Sequence, residues 1–322
     1  MKIDDALETL HRLRENPTSP ESRALIRKQL GSKSNLVVSK AAKIVADFEL
    51  SDFEAPLAEA FHRFLQNPVA TDKGCAAKTE IAKALYTLDS ADQAVFLAGI
   101  RHIQMEPSFG PPVDTAAGLR TASAFGLVRM NHPDAIDEIV TLLADREPDA
   151  RMGAVRALAY SQRPEAAPLV RFKILQGDPS ADVLGECFTA LLALAPEKSL
   201  PFVAGYLEGQ NSALAEAAAM ALGQSRGQPA IEILINKWQA GAAGSLRSAL
   251  LAALALARSE SAFEFLFSLV ESGSERSAAE ALTALAMYRH DERIRARAQS
   301  LVAARNEKSL RDALRADFGQ PS

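Results

Sequence analysis

Eight segments of this chain end in the same small-then-large apolar pattern, at a spacing that barely drifts, and no other feature narrows the fold as much. The segments are KIVADFEL, EIAKALYTL, TASAFGLV, AVRALAYS, FTALLALA, AAMALGQS, LAALALAR and ALTALAMY. Aligned on Phe48, Leu85, Phe125, Leu158, Leu191, Leu222, Leu254 and Leu285, they step by 37, 40, 33, 33, 31, 32 and 31 residues. A period of that size holds two helices and their turns, and a unit so small buries its apolar face only against its neighbours. The residues between the segments carry apolar stripes at helical spacing, such as Ile136, Ile139, Val140 and Leu143, or Phe263, Leu266, Phe267 and Val270. Prolines at Pro56, Pro133, Pro168, Pro201 and Pro229 fall near the expected starts of first helices. Asp72 and Asp149 precede second helices as N-cap candidates.

Composition supports an all-α reading. Aromatic residues make up 6% of the chain against 48% hydrophobic residues in total, and alanine replaces the β-branched runs that strands favour. With 36 basic and 40 acidic residues the formal net charge is −4, which speaks against a protein that neutralises many phosphates. The arginines between Arg289 and Arg315 are interleaved with acids and read as a solvated face. Cys75 and Cys187 match neither a metal spacing nor a disulfide framework, so both are expected as thiols in a reducing compartment. The first residues enter a charged amphipathic helix directly, and no later stretch approaches a membrane span. The expected location is cytoplasmic.

The segment LLADREPDARMGAVRALAYS places an Asp before the turn, a Pro-Asp pair, Arg151 early in the second helix and Ala-Leu seven residues later. In this it resembles the HEAT repeat, particularly the short bacterial form. The resemblance runs from about Thr18 to His290 as some eight hairpins. It implies a single domain over residues 1–322 folded as a right-handed α-α superhelix, with capping helices over 1–17 and 291–322. It also implies a platform for other macromolecules, and names no substrate.

One stretch breaks the rhythm. Between Arg101 and Arg120 a connection holding Pro107, Phe109, Gly110, Pro111 and Pro112 is flanked by His102, Gln104, Glu106, Asp114 and Arg120. Helical spacing puts His102 with Gly99 and Glu106, while Phe96, Ile100 and Ile103 form a buried stripe, so Glu106 is placed to hold His102 protonated. Gly99 costs about 1 kcal/mol against alanine within a helix, which suggests that a backbone or ligand approaches there. Asp114 reads as an N-cap. Lys78 lies seven residues before its anchor, as Arg151 does, so it takes the basic position that bridges neighbouring HEAT hairpins. Arg120 falls outside that register, which gives the position to Gly118, and so Arg120 is the better binding candidate. Cys75 shares a face with Lys78 and reads as a small buried residue rather than a nucleophile.

For chemistry the chain offers little. Five scattered histidines form neither HExxH nor repeated His-Glu pairs, which argues against the HEAT-repeat di-iron hydroxylases, and no glycine-rich phosphate loop or nucleophile elbow is present. The sequence therefore predicts a scaffold without metal or cofactor, binding a protein partner through its second-helix surface and the 106–113 loop. The contact residues expected are His102, Gln104, Glu106, Phe109, Asp114, Arg120 and Cys75. Two rivals stand beside it: a small-ligand or enzyme pocket built from Cys75, His102, Asp114 and Arg120, and a nucleic-acid-binding solenoid. HEAT-like glycosylases would want aromatics in a basic groove, and Trp238 sits on an apolar stripe instead. A phycobilin-lyase role rests on analogy alone.

Overall fold

The computed structural model describes residues 3–319 and is helical almost throughout, with twenty α-helices and two strands of two residues each among the described residues. Contacts divide it into two compact units, one ending at Leu169 and one beginning at Val170.

In the first unit, α1 (Ile3–Leu13) precedes the hairpin of α2 (Pro20–Leu30) and α3 (Asn35–Asp47). The second hairpin pairs α4 (Glu54–Leu65) with α6 (Ala76–Thr87), and the short α5 (Pro68–Thr71) lies in the turn between them. The third pairs α7 (Gln93–Ile100) with α8 (Ala117–Arg129), interrupted by β1 (Met105–Glu106) and β2 (Val113–Asp114). The fourth pairs α9 (Ala135–Leu142) with α10 (Pro148–Ser161). The second helices form one continuous layer, α3 on α6, α6 on α8 and α8 on α10. The unit boundary falls inside α11 (Ala166–Gln176).

The second unit contains α12 (Ala181–Leu194), then the pairs α13 (Pro196–Ala204) with α14 (Ser212–Ser225), α15 (Gln228–Gln239) with α16 (Gly244–Ala257), and α17 (Glu260–Ser272) with α18 (Glu275–Leu285). Its last elements are α19 (Glu292–Arg305) and α20 (Lys308–Phe318). Here too α12, α14, α16, α18 and α20 pack in succession. The segment expected to supply one capping helix supplies two, and the expected tail beyond residue 319 lies outside the described residues. Pro201, expected at a helix start, sits inside α13, because Pro196 opens that helix.

Turn geometry corrects the repeat register. Glu49, Asp89, Asn131, Gln162, Arg226 and Arg258 all have φ between 49° and 57°, the left-handed conformation that ends a helix and reverses the chain. Each lies four residues beyond a fully buried side chain: Val45, Leu85, Leu127, Leu158, Leu222 and Leu254. In the first three hairpins the capping bonds match as well, from Leu50 N–H to Val45 O, Ser90 N–H to Leu85 O and His132 N–H to Leu127 O, at 3.0, 3.0 and 2.9 Å. The anchors are therefore Val45 and Leu127. Phe48, just past the end of α3, and Phe125, on α8, are only half-buried. With that correction the two long steps, from Val45 to Leu85 and from Leu85 to Leu127, are 40 and 42 residues. Both come from enlarged turns within hairpins.

The corrected register predicts an inversion of the usual size rule. Leu127→Ala should cost about 2–5 kcal/mol through the cavity it leaves, and Phe125→Ala, though it removes more atoms, should cost less. Urea denaturation of the two variants checks this, and an equal or larger loss for Phe125 would restore the original register.

Candidate functional site

The site begins with a pair of residues that the corrected register aligns. An Asp in the turn of a hairpin and a basic residue six positions later, inside the second helix, occur as Asp72 and Lys78, Asp114 and Arg120, and Asp145 and Arg151. In each case the Asp caps the start of the second helix: Asp72 accepts from the N–H groups of Ala77 and Lys78 at 2.8 and 3.1 Å, Asp114 from Ala116 at 3.0 Å, and Asp145 from Glu147 at 2.8 Å. The basic side chain then folds back. Lys78 Nζ meets Asp72 at 2.8 Å, Arg120 meets Asp114 at 2.7 Å, and Arg151 donates to the carbonyls of Asp145 and Arg146 at 2.8 and 2.9 Å.

Arg120 thus occupies the repeated basic position, which the slipped register had assigned to Gly118. Its side chain is 2% exposed and also donates to Asp145 of the next hairpin at 3.0 Å and to the carbonyl of His102 at 2.8 Å. Asp114, expected as an N-cap residue, lies in β2 and caps from outside the helix. Burial alone would raise its pKa. The N–H groups of Gln104 and Ala116 and the Arg120 guanidinium more than offset this and hold the carboxyl below its ordinary value.

The enlarged turns of the second and third hairpins interlock around Gln104. Its Nε2 donates to Asp72 O at 2.7 Å and to Glu106 at 2.6 Å, and its Oε1 accepts from Lys78 Nζ at 2.9 Å. These partners leave only one orientation for the amide, and His102 Nε2, 3.3 Å from the same Oε1, must be the donor in that contact. Glu106 accepts from Gly74 N–H at 2.7 Å and from Thr115 Oγ1 at 2.9 Å, so β1 and β2 are fastened both to each other and to the turn before α6.

Other expectations are revised. The helix ends at Ile100, so His102 and Glu106 are not stacked neighbours on a helix face, and Ile103, placed in the buried stripe, is 65% exposed. Burial first, and then the charges of Lys78 and Arg120, push the His102 pKa down, so it is not held protonated. What approaches Gly99 is neither backbone nor ligand but the Ser123 side chain of α8, which a Cβ at Gly99 would overlap. Asp72 caps α6 from a distance, and the residue directly before that helix is Cys75, itself at φ 51°.

Of the seven residues named in sequence, Cys75, Gln104 and Arg120 are buried, His102, Glu106 and Asp114 are half-buried, and Phe109 stands wholly in solvent. Sequence reasoning passed over Thr115 and Asp145 and named Asp72 only as an N-cap candidate, although the repeated spacing of an acid and a base six apart was available to find the Asp72 and Asp145 positions. Among the described residues no group of three His, Cys, Asp or Glu side chains is placed to hold a metal. No helix among them is long and apolar enough to cross a membrane.

A family model, the PBS lyase HEAT-like repeat, matches residues 214–237, which run from α14 into α15. The chain therefore carries a HEAT-like repeat there. No curated protein matches the chain. Among solved structures, the complex of CpcE and CpcF of phycocyanin lyase from Nostoc sp. PCC7120 is 20% identical, covers 74% of this chain and 89% of its own, and has a TM-score of 0.38. An engineered protein is 16% identical over 98% of this chain and 95% of its own, with a TM-score of 0.33. Human deoxyhypusine hydroxylase in complex with glycerol is 17% identical over 88% and 96%, with a TM-score of 0.29. These scores are low, and no residue of this chain takes a role from them.

Two outcomes follow from the site. Burial pushes the thiols of Cys75 and Cys187 up to about 11 and about 12, so at about pH 8 roughly one Cys75 in a thousand is thiolate. Iodoacetamide should leave both unmodified in the folded protein and label both after denaturation, and rapid native labelling of Cys75 would mark it as a nucleophile after all. The second outcome concerns acid. His102, Glu106 and Asp114 all have folded-state pKa values below their ordinary 6.5, 4.5 and 3.8. Each contributes stability that is complete above the ordinary value and is lost as pH falls through the folded one. Hydrogen-exchange protection of the Gln104 and Thr115 amides should therefore start to fall below about pH 6.5 and collapse below about pH 4. Constant protection across that range would show that these groups do not hold the hairpin.

Proposed function

We propose that this protein is a non-enzymatic HEAT-like scaffold that binds a protein partner through the 106–113 hairpin and the second-helix surface of its first unit. One observation carries the reading. The hairpin and the residues leading into it expose four large apolar side chains, Ile103, Met105, Phe109 and Val113, at 65, 46, 116 and 49%, on a backbone that buried ion pairs and hydrogen bonds hold in place. Apolar groups left in water on a preorganised loop lose little further entropy when a partner covers them.

The second-helix layer adds a groove of about 460 Å³ lined in part by Lys83, Tyr86, Gly118, Phe125, Met152 and Arg156. Tyr86, Phe125 and Tyr160 touch there with ring centroids 5.5–6.4 Å apart, and Arg129 lies 4.8 Å over the Tyr86 ring. Half-exposed aromatic rings beside an arginine are what interface centres are built from. Gln104, Arg120 and Cys75 serve this reading from below the surface, by holding the hairpin and its neighbouring turn, and Phe109 makes the contact.

Phe109→Ala combined with Val113→Ser should change stability by no more than about 0.5 kcal/mol, since both side chains are exposed. The same variant should lose a partner protein that the unaltered chain captures from source-cell lysate. Capture of the same proteins by both, at unchanged circular dichroism, would remove the hairpin from the interface.

A further inference from the structure

At the start of the first unit, α1 and α3 leave between them a groove of about 430 Å³ lined by aliphatic and basic residues. Its floor is aliphatic: Leu10 and Ile44 are 2% and 3% exposed, and Leu7 is half-buried. Its walls are basic: His11, Arg14, Lys40 and Lys43 line it, and no acidic residue does. Arg14 is engaged with Asp47 at 2.8 Å. Lys40 and Lys43 are exposed and make no ion pair with any described residue. Leu36, one turn before Lys40 on α3, is a further large apolar side chain in solvent, 54% exposed.

Two unpaired ammonium groups over an aliphatic floor, in a chain of net charge −4, form a local inversion of sign that attracts acids and not the chain's own surface. No aromatic residue lines the groove, so it lacks the stacking platform that a nucleic-acid strand uses. We infer that the α1–α3 groove binds an acidic segment of a partner protein, seating one or two aliphatic side chains on Leu7, Leu10 and Ile44 while flanking carboxylates meet Lys40 and Lys43. This rests on the reading of the second-helix layer as a protein-binding surface. Lys43 and Lys83 occupy the same register position, two residues before Val45 and Leu85, so a segment seated on α3 can continue along the adjacent α6.

The test uses the full chain and a fluorescent synthetic peptide with Glu on one helical face and Leu at i and i+4 on the other, read by anisotropy. Its Gln-for-Glu counterpart is run beside it. Three proteins are compared: the unaltered chain, K40E/K43E, and the charge-matched control K28E/K33E, whose lysines are exposed and outside the groove. The acidic peptide should bind the unaltered chain and the control equally. It should bind K40E/K43E at least about tenfold more weakly, and weaken with added salt. Absence of binding, equal binding of the Gln peptide, equal loss in the control, or no loss in K40E/K43E would each overturn the inference. Tighter binding of a poly-dT oligonucleotide than of the peptide would overturn it in favour of nucleic acid. Because Phe109 and Val113 are unchanged in all three proteins, partner capture by the hairpin can survive failure of the groove.

Discussion

The first unit depends on a carboxylate and a cation six residues apart, facing each other across the first turn of a second helix. Asp72 with Lys78 is the most buried example, with both side chains at 0% exposure. Removing two charges from water is costly, and Coulomb attraction in the interior repays that cost only where further hydrogen bonds complete each group. Here they do. Asp72 also accepts two helix N–H groups, which face any anion at a helix start with partial positive charge, and Lys78 reaches the Phe64 carbonyl and Gln104. The pair therefore contributes position more than net stability. Pairs at this position fasten the starts of α6, α8 and α10 to their turns.

From that constraint the unusual stretch follows. Arg120, the basic residue of the third hairpin, also touches Asp145 in the turn of the fourth. Lys78 should do the same toward the third hairpin, but that turn has been opened by the β1–β2 insertion. Gln104, carried on the insertion, takes the place of the missing acceptor and uses its remaining donors on Asp72 O and Glu106. The enlarged turn of the second hairpin meets the insertion with Gly74 N–H, which donates to Glu106. Two irregularities in consecutive repeats thus complete each other's hydrogen bonds, and neither turn could shorten alone without leaving a buried charge or amide unpaired.

How far this was legible in sequence depended on which residues were used to read it. Periodicity revealed the helical hairpins, since alanine-rich second helices and short turns leave few alternatives. The exact register failed at Phe48 and Phe125, because size was taken for burial, and both side chains are only half-buried. That slip of two residues moved Arg120 out of the repeated position and made a structural arginine look free. The left-handed residues were hidden as well, since Glu49, Asp89 and Gln162 are not the glycines that advertise such a turn. His102 and Glu106 were paired on a helix that stops at Ile100, where chain reversal into β1 overrides the local helical spacing. Phe109, named in sequence as a contact residue, stands in solvent among its proline and glycine neighbours.

An insertion tolerated as drift would be expected at a surface loop with its own side chains in solvent and its removal harmless. The 101–116 segment is fastened from below by Gln104, Asp114 and Arg120, three side chains whose polar groups meet one another or the second hairpin, while its upper face carries Phe109 with nothing of its own to pack against. The lower face is complete with the residues that reach inward, Gln104, Glu106, Asp114 and Thr115. Among the described residues the tip from 107 to 112 hydrogen-bonds within itself, Ser108 Oγ donating to Pro111 O and accepting from Gly110 N–H, so it adds nothing to that fastening. The insertion's distinguishing product is an apolar tip held at a fixed place, which is the property a binding loop requires and a structural turn does not.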